Sequence, residues 1–215
     1  MHVHLLTFRA HFANVDQFSS HRPGLEIERQ DLQLGPLNAI LHSKSEFVVC
    51  ATDPSCHNVA SQLCRNLFQY FAADSYLYDG LPDSIHLSKR KGNFVSLGSG
   101  KKPAGMTSSH LPIKLDNGKL WLVGHDGLHH SYDWMPGVGV IFLSPLPEHR
   151  LEMKIYGWDE TALRQAARLF PLLTGTGQPE FIILDRSCAW RGATAALAMG
   201  SLTSLWEVSE GSYLT

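Results

Sequence analysis

A run of histidines near the middle of the chain carries the most conspicuous metal-binding chemistry. His125, His129 and His130 lie close together, with Asp126 and Gly127 among them and Gly124 just before them. Imidazole and carboxylate groups bind Zn²⁺, so a metal-binding module is one interpretation, and a hydrolase using these groups with Asp159 is another. The spacing is not HExxH on a helix, and the glycines indicate a turn between strands. A solvated hairpin loop is the interpretation that we favour.

No complete nucleophile or nucleotide-binding motif can be read in the chain. The string LGSG at 97–100 lacks the GxSxG spacing of a serine elbow, and Lys-Lys-Pro follows it instead of a helix. The string GTG at 175–177 follows a predicted helix and precedes a predicted strand, whereas a phosphate cradle requires the opposite order. These glycines predict a helix stop and a tight turn, and we expect no cofactor.

Two loops do follow a predicted strand and precede a predicted helix, which is the order that favours ligand binding. In open α/β sheets, ligands gather beyond the carboxyl ends of the strands. The residues predicted to bind a ligand there are Asp53, Ser55, Trp158, Asp159, Trp190 and Arg191. A capping aspartate with two packing indoles is the favoured alternative for the second loop.

Hydrophobic periodicity predicts the elements that position these side chains. Compact apolar runs at 46–51 and 180–184 read as buried strands, and apolar residues recur at helical spacing over 56–72. Together with a strand at 150–157, a helix after Asp159 and a short helix at 193–199, they predict an α/β fold. We expect a layered, mostly parallel sheet built from βαβ units at 46–78 and 150–184.

The sequence between these units predicts strands and turns instead of helices. Asn117-Gly118 lies between two alternating segments and predicts a hairpin, because both residues tolerate positive φ. We therefore expect a single α/β domain over 25–215 with a β-rich hairpin insertion at about 85–137, preceded by a poorly ordered lead-in at 1–24.

Composition limits the classes of function. The 215 residues are 44% hydrophobic and 18% charged, with a formal net charge of -2, so we expect a globular, soluble chain without nucleic-acid or membrane partners. The apolar run in residues 1–8 is too short for a signal peptide, so the chain is either intracellular or part of a longer, secreted product. Its four cysteines match no metal spacing, and reduced thiols are favoured over a Cys50–Cys56 or Cys56–Cys64 bridge.

Several short strings together resemble the C-terminal region of large fungal proteins that carry a prolyl-oligopeptidase-like (peptidase S9-type) α/β-hydrolase domain earlier in the chain. The resemblance spans roughly residues 25–210, and LTGTGQP at 173–179 is its most specific part. The strings lie at 34–41, 53–55, 65–67, 139–143, 157–159, 166–179, 190–192 and 196–200. The chain departs from the pattern at 201–204, where a more aromatic segment is usual.

The resemblance implies an accessory region without the hydrolase. No catalytic residue carries over, because the matching positions lie outside the part that holds the nucleophile, acid and histidine. We therefore expect a non-catalytic accessory or interaction domain whose partner is a hydrolase catalytic domain, in cis or in trans. The stand-alone hydrolase and the metal-binding module remain the alternatives.

Overall fold

The computed structural model describes residues 28–81, 89–106, 111–124, 129–171 and 178–215, and the predicted lead-in at 1–24 lies outside them. Within these ranges the chain is dominated by strands. The strands are β1 (Phe47–Ala51), β2 (Ser75–Asp79), β3 (Phe94–Ser99), β4 (Ile113–Asp116), β5 (Lys119–Val123), β6 (His129–Asp133), β7 (Gly139–Leu146), β8 (Arg150–Gly157), β9 (Phe181–Leu184), β10 (Ala198–Gly200) and β11 (Tyr213–Leu214). The α-helices are α1 (His57–Phe71), α2 (Glu160–Ala167) and α3 (Cys188–Arg191). Short 3-10 segments lie at Asp31–Gln33, Leu37–Leu41, Pro54–Cys56 and Gly192–Ala195.

Eight of these strands form one mixed sheet in the order β11-β10-β9-β7-β8-β3-β1-β2. Strands β2, β1, β3 and β8 are mutually parallel. From β8 onward the pairing changes, because β7 is antiparallel to both β8 and β9, and β10 and β11 continue antiparallel. One half of the sheet is therefore parallel and the other half antiparallel.

The predicted fold class, a layered and mostly parallel α/β sheet, is wrong. In the segment 46–78, β1 and β2 do pair in parallel around α1. In the segment 150–184, however, β8 and β9 do not pair, because β7 lies between them and bonds to both. The described residues form eleven strands and three α-helices, so this part of the chain is mostly β.

The missed feature is a tight hairpin between β7 and β8. Leu146 pairs with Arg150, so three residues, 147–149, make the turn. Glu148 and His149 adopt φ values of 62° and 58°, the left-handed region that hairpin turns require. Neither residue is glycine, asparagine or aspartate, so the sequence lacks the usual signal for such a turn. Without that signal, β8 reads as the start of a parallel unit.

The middle of the chain contains a second, three-stranded antiparallel sheet in the order β4-β5-β6. Its first hairpin turns at Asn117-Gly118, with φ values of 50° and 74°, and this hairpin confirms the predicted turn. Strand β3, which falls inside the segment predicted as an insertion, belongs to the large sheet. A helix predicted at 193–199 is also wrong, since Gly192–Ala195 is a 3-10 turn and Ala198–Gly200 is a strand.

The main core lies between the helices and one face of the large sheet. Helices α1 and α2 contact each other and pack on β1, β2, β3, β7 and β8. On the opposite face, Val48, Cys50 and Phe94 form a second, smaller apolar cluster. All four cysteines are free thiols. Among the described residues, no helix has the length and apolar character needed to cross a membrane.

A buried ion pair joins the beginning of the described chain to its end. The guanidinium of Arg29 donates to both carboxylate oxygens of Glu180, at 2.8 and 2.9 Å, and to the carbonyl of Leu202 at 2.9 Å. The same guanidinium lies 4.8 Å from the centre of the Trp206 ring. Arg29 and Glu180 are only 5% and 6% exposed, so each charge depends on the other for compensation.

Replacing Glu180 with alanine should lower the free energy of unfolding by about 3–5 kcal/mol, because it leaves the Arg29 charge buried without its partner. The matched control is Glu160→Ala, which removes the exposed pair between Glu160 and Arg164 on α2. That control should cost roughly 0.2–0.5 kcal/mol. Urea unfolding of both variants measures the two losses of unfolding free energy. Equal losses would contradict the claim that the buried pair stabilises the fold more than an exposed pair does.

Candidate functional site at the carboxyl edge of the sheet

The carboxyl ends of the parallel strands meet at one edge of the large sheet, called here the carboxyl edge. Strands β1, β2, β3 and β8 all end there, and β9 ends there too because it is antiparallel to β7. Strand β7 begins at this edge, where Gly139 lies opposite both Gly157 and Leu184. The loops after β1, β3, β8 and β9 therefore share one side of the molecule, where ligands bind in open sheets.

Asp53 joins the loop after β1 to the loop after β3. One carboxylate oxygen accepts from the Ser55 amide at 3.0 Å and from the Ser55 hydroxyl. The other accepts from the Cys56 thiol at 3.1 Å and from the Ser99 amide at 3.2 Å. The hydroxyls of Ser55 and Ser99 lie 2.7 Å apart. Asp53 thus uses both oxygens to hold the loops, and the two serine hydroxyls are part of the same hydrogen-bonded cluster.

The protonation states at this cluster follow from its hydrogen bonds. Burial alone would raise the pKa of Asp53, but the hydrogen bonds from Ser55, Cys56 and Ser99 outweigh burial and lower it. Burial, together with the neighbouring Asp53 carboxylate, raises the pKa of Cys56 to about 12. Asp53 is therefore a carboxylate and Cys56 a neutral thiol at neutral pH, which argues against a thiolate nucleophile here.

A second polar contact at this edge lies beside the Asp53 cluster. The ring nitrogen Nδ1 of His57, at the start of α1, lies 3.0 Å from a carboxylate oxygen of Asp79 at the end of β2. Both side chains are largely exposed. This pair links the ends of β1 and β2 in the same way that Asp53 links the ends of β1 and β3.

Asp159, predicted as a ligand residue, caps helix α2. One carboxylate oxygen accepts from the Ala162 amide at 2.8 Å, and the other accepts from the Gly137 amide at 2.9 Å. Gly157 permits this arrangement, because a Cβ there would lie only 2.6 Å from the Cα of Leu163 in α2. Both oxygens of Asp159 thus serve the backbone, and the side chain fixes α2 and the loop before β7.

Two large apolar side chains are exposed in the loops beside Asp159. Met135, in the loop before β7, is 53% exposed, and Trp190, on α3, is 70% exposed. These loops touch each other, since a Cβ on Gly137 would lie 3.2 Å from the Cβ of Arg186. Arg191, next to Trp190, is also exposed. We call Met135, Trp190 and Arg191 the Trp190 surface.

The other predicted ligand residues are spread over the same edge. Trp158 is partly buried against the main core, and its amide donates to the Val138 carbonyl at 2.9 Å. Asp53 and Ser55 lie in the loop after β1, whereas Trp158 and Asp159 lie in the loop after β8. Trp190 is not a packing indole, because most of its side chain faces solvent.

The predicted metal ligands lie mainly on the second sheet. His130 is an exposed residue of β6 and pairs with Leu122 of β5, and His129 pairs with Val123. His125 lies outside the described residues. Within the described ranges, no three histidine, cysteine or acidic side chains come together in a way that could hold a metal ion.

Sequence reasoning missed a buried polar cluster on the face of the sheet opposite the helices. Glu152 accepts from the Ser96 hydroxyl at 2.5 Å and forms an ion pair with Lys154 at 2.9 Å. Two positions further along β8, the Tyr156 hydroxyl is buried and has no hydrogen-bond partner in the described part of the chain. The alternation of Glu152, Lys154 and Tyr156 was the available signal, but alternating polar residues usually indicate a solvent-facing strand.

Burial dominates the electrostatics of that cluster. It raises the pKa of Tyr156 to about 12 and that of the facing Cys50 thiol to about 12. Burial alone would lower the pKa of Lys154, but the ion pair and hydrogen bond with Glu152, together with the nearby Tyr156 and Cys50, raise that pKa. The cluster therefore holds one compensated ion pair, a neutral phenol and a neutral thiol at neutral pH.

The chain matches no known protein family model. It is 37% identical over 190 residues to a protein of Arthroderma benhamiae described as an uncharacterized secreted protein. The match covers 87% of this chain and 20% of that protein. The chain thus spans about a fifth of the length of the curated relative that it matches.

The Asp53 cluster should make the free energy of unfolding depend on pH in the acidic range. Its pKa in the folded state is below the ordinary value of 3.8, so its contribution is complete above that pH and is lost as pH falls through the folded value. Asp53→Asn should therefore reduce the loss of unfolding free energy that urea unfolding measures as the pH is lowered into the acidic range. Ser55→Ala keeps the carboxylate and removes one donor, so it should give an intermediate slope. An unchanged slope in Asp53→Asn would contradict this account.

Proposed function

We propose that this chain is a non-catalytic interaction domain of a longer, secreted protein, and that it contacts the rest of that protein through the Trp190 surface. The observation that carries the proposal is the 70% exposure of Trp190 on α3, a short helix that begins just after the hydrogen bonds from Ser187 to Asp185. The similarity to about a fifth of a protein described as secreted supports both the proposed longer chain and the proposed secretion.

The chemistry of the Trp190 surface favours a protein partner. Tryptophan and arginine are the residue types that most often anchor protein interfaces, because they combine a large contact area with a polar group. Trp190 and Arg191 are adjacent, and Met135 adds a flexible apolar side chain on the neighbouring loop. Leaving such side chains in water is unfavourable unless a partner covers them.

The polar residues near this surface support a structural role in preference to a catalytic one. Both oxygens of Asp159 accept backbone amides, so neither is placed to act as a general base or acid. Asp53 is occupied in the same way by Ser55, Cys56 and Ser99. The resemblance to regions that follow a prolyl-oligopeptidase-like hydrolase makes such a domain the first partner to test.

The direct test is binding of this chain to the part of the Arthroderma benhamiae protein outside the matched segment, measured by isothermal titration calorimetry. We expect a complex with the wild-type chain. Trp190→Ser should weaken it about 30-fold, the effect of losing an interface anchor worth about 2 kcal/mol. Tyr213→Ser, at an exposed aromatic residue on β11, is the matched control and should bind like the wild type.

Circular dichroism should show that both variants remain folded, because the substituted side chains are exposed. Failure of the wild-type chain to bind would contradict the proposal. Equal weakening by Trp190→Ser and Tyr213→Ser would contradict the assignment of the surface.

A further inference from the structure

Strand β2 ends the large sheet on one side, and its outward backbone groups have no partner in the described part of the chain. The carbonyl of Asp74 accepts from Phe47 at 2.9 Å, and the amide of Gly80 donates to Ala51 at 2.7 Å. Alternate residues of a strand bond to the same neighbour, so the even-numbered residues of this segment face β1. The amides and carbonyls that point away from the sheet belong to Ser75, Leu77 and Asp79.

We propose that β2 pairs antiparallel with β2 of a second copy of this chain, about a two-fold axis at Leu77. In this register Leu77 lies opposite Leu77 of the second copy, and Ser75 lies opposite Asp79. The three outward amides of each strand then meet the three outward carbonyls of the other, so all of them are satisfied. The pattern is self-complementary, as a two-fold interface requires, and it sets no like charges directly opposite each other.

The position of helix α1 on the sheet suits this pairing, because the two α1 helices of the dimer would lie side by side. It packs against both β1 and β2, so its axis lies above the groove between them. Because adjacent strands are about 4.8 Å apart, the two α1 helices would come about 10 Å apart across the axis. Packed helices are typically 8–10 Å apart, so continuing the sheet also brings the helices into contact.

The exposed side chains along α1 are complementary across the axis. Helix α1 contacts β2, and Ser75 partly offsets the rise that burial causes in the pKa of the Cys64 thiol, so Cys64 lies on the side of α1 that faces β2. The neighbouring Arg65 is exposed, and Asp79 of the second copy would lie opposite Ser75, within reach of that guanidinium. Phe68, one helical turn further along, is 66% exposed on the same side as Cys64. The two-fold axis repeats the arginine–aspartate contact, so the interface gains two such pairs.

Sedimentation equilibrium of the full chain tests the proposal. We expect a reversible dimer, and Ser75→Pro should weaken it at least about tenfold because it removes an outward amide at each end of the pairing. Proline is tolerated at the first residue of an edge strand, and circular dichroism should confirm an unchanged fold. A wild-type chain that stays monomeric, or a proline variant that dimerises like the wild type, would overturn the proposal.

A charge exchange provides an independent test on the exposed surface. Arg65→Asp should weaken the dimer about tenfold, because the new carboxylate at position 65 would repel Asp79 of the second copy. The double variant Arg65→Asp with Asp79→Arg should restore dimerisation, because the two charges attract again. Trp190→Ser should dimerise like the wild type, since Trp190 follows β9, which four strands separate from β2 in the sheet. Loss of the dimer in that variant, or failure of the double variant to restore it, would overturn the assignment to β2 whether or not the Trp190 surface binds its partner.

Discussion

The antiparallel strand β7 is hydrogen-bonded on both sides, and the rest of the sheet depends on it. It pairs with β8 along its whole length, from Gly139 opposite Gly157 to Leu146 opposite Arg150, and with β9 on the other side. Within the described ranges, no other ladder joins the parallel strands to β9, β10 and β11. Gly139, the first residue of β7, pairs with Gly157 of β8. These glycines let α2 approach closely, because a Cβ on Gly139 would lie 2.8 Å from the Ala162 carbonyl oxygen. The loops of the carboxyl edge take their positions from this arrangement.

Local patterns in the sequence predict elements well where the pattern itself carries the physics. The helical spacing in 56–72 predicts α1, and Asn117-Gly118 predicts the hairpin of the second sheet. Strand order is different, because periodicity shows which residues face the core but not which strand lies alongside. Glu148 and His149 turn the chain between β7 and β8 without the usual turn residues, so the antiparallel half is hidden from sequence reasoning. Glu152 and Lys154 are hidden for a related reason, since only the fold reveals that they compensate each other in the interior.

The candidate site shows the same division between local and tertiary information. The predicted capping role of Asp159 depends on a loop and the helix that follows it, and the structure contains that cap. The exposure of Trp190 depends on how α3 lies after β9, and no local pattern encodes it. The carboxyl edge therefore combines hydrogen-bonded loops with exposed apolar side chains, and the proposed docking of a partner rests on these side chains. The β2 edge is a separate surface, for which we propose pairing with a second copy.

Native-state hydrogen exchange tests most directly whether β7 unites the sheet. Because β7 bonds to both halves, the amides of β3, β8, β7 and β9 should exchange with one common free energy, equal to that of global unfolding. Opening of β7, β9 and β10 at a distinctly lower free energy than β1, β3 and β8 would contradict the account. That outcome would mean that the parallel half is stable alone and that the antiparallel half is an appendage to it.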